Sequence, residues 1–249
     1  RMADAALETL LPKRARALPR RGRWLTNWAL VVIDTATLRL IAVVLPLLAI
    51  GAALDAERLG WGLFNALDWP GWLELILAVA ILDLAIWAQH VAMHKVPVLW
   101  RLHRVHHADR DMDVTTAIRF HPIEIVLSMG IKIGVVYVLG PSALAVLVFE
   151  FILNGTALFS HSNLRLPAGM ERRLRWLLVT PDMHRVHHSV SRVEHDSNYG
   201  FALSVWDRLF RTYTAAPAKG HDGMTVGLMW QDDSPALLGW SLRLPFGPL

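Results

Sequence analysis

The chain has no cysteine, and only 18% of its 249 residues are charged. The absence of cysteine excludes disulfides, thiolate metal ligands and thiol nucleophiles, so a bound metal ion would have nitrogen and oxygen ligands. Hydrophobic residues make up 54% of the chain, and the mean hydropathy is +0.36. This composition is too apolar and too poor in charge for an ordinary soluble domain, and it predicts a membrane protein.

Histidine is concentrated in two short segments. The string HRVHH occurs twice, starting at His103 and at His184, and a His90–His94 pair precedes the first copy. Eight of the 12 histidines lie in these clusters. Helix positions i, i+3 and i+4 share a face, so the three imidazoles of each copy are expected to point at one site. Because neutral imidazole suits zinc, copper, iron and nickel, the clusters predict a transition-metal site.

The histidines are too numerous for one ion, since a zinc site is complete with four ligands. Divided between two ions, eight or nine imidazoles supply four or five nitrogens each, so we expect a two-metal centre. The alternative is a surface histidine tract that merely picks up metal. His161 is expected to be the ninth ligand, because the apolar segment that it ends leads back toward both clusters. The complete expected ligand set is His90, His94, His103, His106, His107, His161, His184, His187 and His188.

Five further polar residues near the clusters are candidates for orienting the imidazoles. They are Asp83, His121, Asp182, Asp196 and Asn198. Asp83 lies in an apolar segment, where an acid is costly and usually functional; the alternative is that it reaches the membrane surface at the end of the span. His121 is also a weaker candidate for a tenth ligand. His195 and His221 have no partner at ligand spacing, and we expect structural roles for both.

Apolar segments separated by polar ones predict an all-α integral membrane bundle. The first two spans are expected within residues 27–94, the first of them densest at 40–54 and kinked at Pro46. A hairpin over residues 123–160 turns at Gly140-Pro141, and each half is short for a full span. The bundle therefore has about four membrane helices, or two plus a re-entrant hairpin.

The polar segments predict the orientation of the chain in the membrane. Residues 1–23 are rich in lysine and arginine, and the positive-inside rule makes them a cytoplasmic tail rather than a nucleic-acid-binding arm. The first histidine segment, residues 95–122, and a helical cap over residues 161–249 that carries the last histidine box then lie on the cytoplasmic side. We expect a single membrane-embedded domain over residues 1–249, with no nucleic-acid partner.

Taken in order, the histidine boxes resemble those of the fatty acid hydroxylase superfamily, also called the sterol desaturase family. The similarity covers about Asp83 to Phe210 and rests on HVAMH, LWRLHRVHH, RFHPIE, HSNLRLP, TPDMHRVHH, HDSNYG and WDRLF. Carried over to this chain, it places the metal ligands at the nine histidines given above. The chain departs from the family pattern at Val91, where many relatives have arginine, at Ala157, where some have histidine, and at Arg211, where many have glycine.

The resemblance implies a multi-pass membrane enzyme, in the plasma membrane if bacterial, with a non-haem centre of two iron ions. Such an enzyme uses dioxygen and two electrons to hydroxylate or desaturate a C–H bond of a fatty acid, sterol or related lipid. Carotenoid hydroxylation and ether-lipid cleavage are alternatives within the same chemistry. The sequence shows no haem, flavin or iron–sulfur site, so an external electron donor of the ferredoxin or cytochrome type, with its reductase, is implied.

Two other classes of function are compatible with clustered histidines. A zinc-dependent membrane hydrolase needs a general base, and the boxes contain no glutamate in the H-E-x-x-H spacing. A metal transport protein would carry histidines within its spans, whereas these are expected outside them. No glycine-rich phosphate loop or serine–histidine–aspartate arrangement is found either. The sequence therefore favours a metal-dependent lipid oxygenase.

Overall fold

The computed structural model describes residues 2–44, 48–68 and 70–248, and within these ranges the regular structure is helical. The α-helices are α1 (Met2–Leu10), α2 (Arg20–Val44), α3 (Ala49–Leu59), α4 (Leu63–Ala66), α5 (Gly71–Lys95), α6 (Pro97–His107), α7 (Pro122–Leu139), α8 (Ala143–His161), α9 (Ala168–Leu174), α10 (Pro181–His187), α11 (Arg192–His195), α12 (Val205–Leu209), α13 (Gly220–Gly223) and α14 (Leu238–Arg243). Three short 3₁₀ helices and three isolated β-bridges are the other regular backbone structure in the described residues. The prediction of an all-α fold is confirmed.

Four of these helices are long and apolar enough to cross a membrane. The spans are Arg20–Ala42, Gly71–Lys95, Pro122–Leu139 and Ala143–His161. The two shortest have 18 and 19 residues, which at 1.5 Å per residue is about 27–28 Å and close to the thickness of a bilayer core. The prediction of about four membrane helices is therefore confirmed.

The first span differs from the expected one. Its helix, α2, begins at Arg20 and ends at Val44, and the later part of the apolar run, from Ala49, forms a separate helix, α3. The helix extends toward the N-terminus because its polar residues there are satisfied inside the protein. Arg23 is buried and pairs with Asp109 and Asp113, and the side-chain amide of Asn27 also donates to Asp109. The expected kink at Pro46 lies outside the described residues.

The basic N-terminal segment packs on the histidine cap rather than extending as a separate tail. Lys13 Nζ lies 2.7 Å from an Asp182 oxygen. The buried carboxylate of Glu8 accepts hydrogen bonds from the backbone N–H groups of Val114 and Asn163, at 2.9 and 2.7 Å. The segment therefore ties the cap to the loop after α6. Its cytoplasmic orientation stays a prediction.

The apolar core lies among α3, α5, α7 and α8. Alanines on three of these helices are almost fully buried, including Ala53, Ala78 and Ala145, and such small residues let membrane helices approach closely. The tight turn between α7 and α8 is made by Gly140, whose φ of 62° favours glycine. A Cβ there would also lie 2.3 Å from the Trp61 carbonyl oxygen. This core fixes α5 beside α8 and so brings the histidine-bearing C-terminal ends of both helices together.

Candidate metal centre

The nine histidines expected as ligands are all buried, with at most 4% of any one exposed. Two are on the last turns of α5, three on α6, one ends α8 and three lie on or directly after α10. A break at Val96-Pro97 separates α5 from α6 and lets α6 fold back against α5. The start of α10 is fixed by Thr180, whose hydroxyl accepts a hydrogen bond from the Met183 N–H, and by Pro181 in its first turn.

The nine imidazoles form two adjacent groups. In each group, one donor atom per residue lies within 4.8 Å of all the others. The five-histidine group is His90, His94, His103, His107 and His187, and the four-histidine group is His106, His161, His184 and His188. The rings of His107 and His188 stack across the boundary, with centroids 4.5 Å apart. The expected convergence of all nine residues is thus present in the structure.

The two copies of HRVHH are each divided between the groups, which corrects the expectation that one copy points at one site. In α6, His103 and His107 belong to the five-histidine group, whereas His106 belongs to the other. Consecutive residues are about 100° apart around a helix, so His106 and His107 diverge although both lie near His103. In α10 the division is reversed, and His187 is the residue that joins the five-histidine group.

Distances between ring nitrogens fit shared metal ions. His90 Nε2 lies 3.1 Å from His103 Nε2. His161 Nε2 lies 3.0 Å from the Nε2 atoms of both His106 and His184. Metal–imidazole bonds of about 2.0–2.1 Å place neighbouring ligand nitrogens roughly 3 Å apart, which matches these separations.

The hydrogen bonding of the rings also fits metal ligation. Seven buried imidazole nitrogens accept or donate no hydrogen bond: both of His94 and of His188, and one each of His107, His184 and His187. A buried polar atom without a partner costs about 1–3 kcal/mol, so seven in one place need another partner. Metal ions would supply that partner, and the nitrogen donor set suits iron as well as zinc.

The protonation state is the one that binds metal. Burial lowers the pKa of His106, His107, His184, His187 and His188 well below the usual value, and the neighbouring imidazoles lower it further. Each of these rings is therefore neutral at pH 7. A neutral imidazole keeps a lone pair for a metal ion.

Four rings are oriented by backbone carbonyls through their Nδ1 atoms. His90 donates to the Tyr199 oxygen at 2.7 Å, and His187 donates to the Ser197 oxygen at 2.8 Å. His161 donates to Ala157 at 2.7 Å, and His106 makes a longer bond to the Arg119 oxygen at 3.2 Å. A hydrogen bond at Nδ1 leaves Nε2 as the atom that faces the metal.

A carboxylate orients a fifth ring, and the sequence analysis missed it. Glu124 Oε1 lies 2.6 Å from His103 Nδ1, and both side chains are buried. Carboxylate–histidine–metal contacts of this kind fix a ring and raise its basicity. The only sequence signal was the position of Glu124 in the first turn after His121-Pro122, inside the RFHPIE motif.

Asp83 does not contact an imidazole and does not reach the surface, so neither expectation for it holds. It is buried, and it accepts hydrogen bonds from the backbone of Ala202 and Leu203 and from Trp206 Nε1. Asp207, which the sequence analysis also missed, accepts from the backbone N–H groups of Tyr199 and Gly200, at 2.9 and 2.8 Å. The two carboxylates hold the loop whose Tyr199 carbonyl orients His90.

Three other candidate residues form their hydrogen bonds and ion pairs with groups other than the nine imidazoles. His121 caps α7, where its Nδ1 accepts a hydrogen bond from the Ile123 N–H, and it belongs to neither group. Asp182 pairs with Lys13 and Arg185. Asn198, in a left-handed conformation with φ of 52°, donates to the Met183 carbonyl and so ties its loop to α10.

Asp196 lies beside a ring, and so does His195. Asp196 Oδ1 is 3.7 Å from His94 Nδ1 and 3.7 Å from His195 Nε2. His195 has no histidine at ligand spacing along the sequence, but the fold brings donor atoms of His94, His195 and Asp196 within 4.8 Å of one another. His221 lies elsewhere, 3.6 Å from Asp182.

Two cavities reach the five-histidine group. One, of about 170 Å³, lies among α5, α7 and α8 and is lined by His90 and His103, by apolar side chains and by the ion pair of Lys132 and Glu150, whose charged atoms are 2.6 Å apart. The other, a cleft of about 490 Å³, lies between the α5–α6 junction and the cap and reaches His94. Neither cavity is lined by a member of the four-histidine group.

Known proteins are similar to the part of the chain that carries the nine histidines. A family model described as fatty acid hydroxylase matches residues 75–212. Alkylglycerol monooxygenase of Xenopus tropicalis is 31% identical over 162 residues, 63% of this chain and 33% of that protein. Ornithine lipid hydroxylase OlsE of Rhizobium tropici is 29% identical over 150 residues, 60% of this chain and 44% of that protein.

Alkylglycerol monooxygenase of Homo sapiens is 30% identical over 171 residues, 66% of this chain and 35% of that protein. The chain thus spans less than half the length of these curated relatives. No solved structure matches it significantly.

Proposed function

Because the chain belongs to the fatty acid hydroxylase family, we propose that it is a membrane-bound non-haem di-iron oxygenase that hydroxylates a lipid C–H bond. The observation that carries the proposal is the division of nine buried imidazoles into two adjacent groups. The relatives named above include monooxygenases and a hydroxylase of lipids, which supports the same reaction type. Dioxygen is the proposed co-substrate.

We assign the two histidine groups as the ligand sets of two ions. The five-histidine group would hold one iron and the four-histidine group the other, and iron bound there supplies the activation of dioxygen. The chain itself supplies the geometry. Carbonyls of the 197–199 loop and the Glu124 carboxylate hold rings of the five-histidine group, and carbonyls of Ala157 and Arg119 hold rings of the other.

The cavity among α5, α7 and α8 is the proposed binding site for the reacting part of the lipid. Most of its lining residues belong to three membrane helices, which would let a lipid reach it from the bilayer, and His90 and His103 form part of the lining. Ile86, Met93 and Phe120 provide an apolar surface that excludes water from the reacting carbon. The proposal places the C–H bond beside the five-histidine group.

The remaining assignments follow from the sequence and complete the proposal. The whole chain is proposed to form one membrane-embedded domain with the histidine cap, residues 161–249, on the cytoplasmic face. Electrons would come from a ferredoxin- or cytochrome-type donor with its reductase, because the sequence shows no redox cofactor motif of its own. The basic N-terminal segment supports this orientation under the positive-inside rule.

Ether-lipid oxidation is the second candidate reaction. It is favoured by the two alkylglycerol monooxygenases among the relatives, which are 31% and 30% identical. Both reactions begin with oxidation of a C–H bond, and they differ in whether the oxidised carbon carries an ether oxygen. The same metal centre serves both, so the product distinguishes them.

The test combines metal analysis of the purified full chain with mass spectrometry of its lipid products. We expect about two irons per chain and dioxygen-dependent addition of one oxygen atom to a lipid, with an ether-cleavage product if the second reaction is correct. His187→Ala should abolish turnover and lower the iron content, while His221→Ala should retain both. Zinc as the sole bound metal, with no dioxygen uptake in the presence of reductant, would reject the oxygenase proposal.

A further inference from the structure

The five-histidine group is reached from two different regions of the structure. The membrane cavity reaches His90 and His103, whereas the cleft at the α5–α6 junction reaches His94. The rim of the cleft carries Lys95 and Arg192, whose side chains are 50% and 79% exposed. The first opening lies among the membrane helices, whereas the second lies between the α5–α6 junction and the cap, with exposed charged side chains along its edge.

The cleft contains a set of donor atoms outside the proposed di-iron ligands. His195 lines the cleft, and its ring stacks on Trp100, with centroids 5.2 Å apart. Asp196 Oδ1 lies between His195 and His94, 3.7 Å from a nitrogen of each, and it accepts no hydrogen bond of ordinary geometry. Both nitrogens of His94, which is 4% exposed, also lack hydrogen-bond partners. Three donors therefore converge on one point between the cleft and the five-histidine group.

We propose that His94, His195 and Asp196 form a loading site that captures a divalent metal ion from the cleft and passes it to the five-histidine group. This inference rests on the proposed function, since it takes the nine histidines as the final ligands. His94 belongs to both donor sets, so the loading site and the five-histidine group share one residue and lie next to each other.

The surrounding charges favour transfer over permanent binding. Asp196 Oδ2 pairs with Lys95 Nζ at 2.8 Å and lies 3.6 Å from Arg192 Nε. One carboxylate between two cations attracts a divalent ion only weakly, whereas the five-histidine group carries no such cation among its members. The ion therefore gains ligands and avoids cationic neighbours when it moves inward.

The experiment uses the purified, metal-loaded full chain and measures two rates. Iron removal by a coloured iron(II) chelator is followed first, and reloading of the same protein with cobalt(II) is then followed by its visible absorption. The variants are His195→Phe, which keeps an aromatic ring on Trp100 but removes the nitrogen donors, and Asp196→Asn. The matched control is His221→Ala, because that ring also lies beside an aspartate and its side chain has the same 16% exposure as that of His195.

We expect both variants to release and reload metal several-fold more slowly than the wild type, with the final metal content unchanged. His221→Ala should match the wild type in both rates. Wild-type rates in His195→Phe and Asp196→Asn would overturn the loading site, and so would a reduced final content, because the residue would then be a permanent ligand. A wild type that binds no metal at all would overturn the proposed function and the loading site together, whereas wild-type rates in the variants would overturn the loading site alone.

Discussion

The contact between Glu124 and His103 gives the sharpest prediction about the metal centre. Its carboxylate oxygen lies 2.6 Å from His103 Nδ1, and both groups are buried, so the pair is shielded from competing water. Replacing Glu124 with alanine leaves the His103 N–H without a partner and lets the ring rotate. His103 belongs to the five-histidine group only, so the effect should be confined to one of the two ions.

The expected loss is about 10–100-fold in affinity for that ion, the usual range for removing an outer partner of a metal ligand. This corresponds to roughly 1.4–2.7 kcal/mol. Glu124→Gln keeps an acceptor oxygen but removes the charge, so its affinity for that ion should lie between those of the wild type and the alanine variant. The measurement is a titration of the iron-loaded protein with a competing chelator, in which bound iron is counted at each chelator concentration.

In the wild type the two ions are expected to leave over one range of chelator concentration. In Glu124→Ala one ion should leave at a lower concentration while the other is retained. Glu150→Gln is the control, because this carboxylate lines the same cavity but contacts Lys132 rather than a histidine. Equal weakening of both ions, or no change in either, would refute the assigned role of Glu124.

Three further predictions test the supports around the centre. Arg23→Met should lower the free energy of unfolding by about 3–5 kcal/mol, because it leaves two buried aspartates without their cation. Arg21→Met, at an exposed position, should have little effect in the same thermal or denaturant unfolding assay. Asp207→Asn should lower iron occupancy and turnover with modest loss of stability, because it loosens the loop that holds His90; unchanged iron content would contradict this. Lys132→Met should lower the free energy of unfolding, because it leaves Glu150 unpaired in a membrane helix. Adding Glu150→Gln should recover most of the lost stability. A double variant no more stable than Lys132→Met would show that the unpaired carboxylate does not cause the loss.

Much of the fold could be predicted because its signals are local. Apolar runs of spanning length predict the membrane helices, and these appear at 71–95, 122–139 and 143–161 close to where the sequence indicates them. The first span was placed too far along the chain, with its densest part at 40–54, since Arg23 was taken as part of the basic tail. The partners of Arg23 and Asn27, Asp109 and Thr115, are more than 80 positions away in the sequence, so only the folded chain shows that they are satisfied.

The histidines of the metal centre could also be predicted from the sequence, because residues three and four apart on a helix lie on one side of it. The division into groups of five and four was not, since it depends on how α6 and α10 approach each other and which ring of each faces the other. The same holds for the contact of Glu124 with His103 and for the approach of His195 to His94, because each joins two different segments of the chain. Spacing along one helix determines which side chains can act together, whereas the contacts between helices decide which of them share an ion.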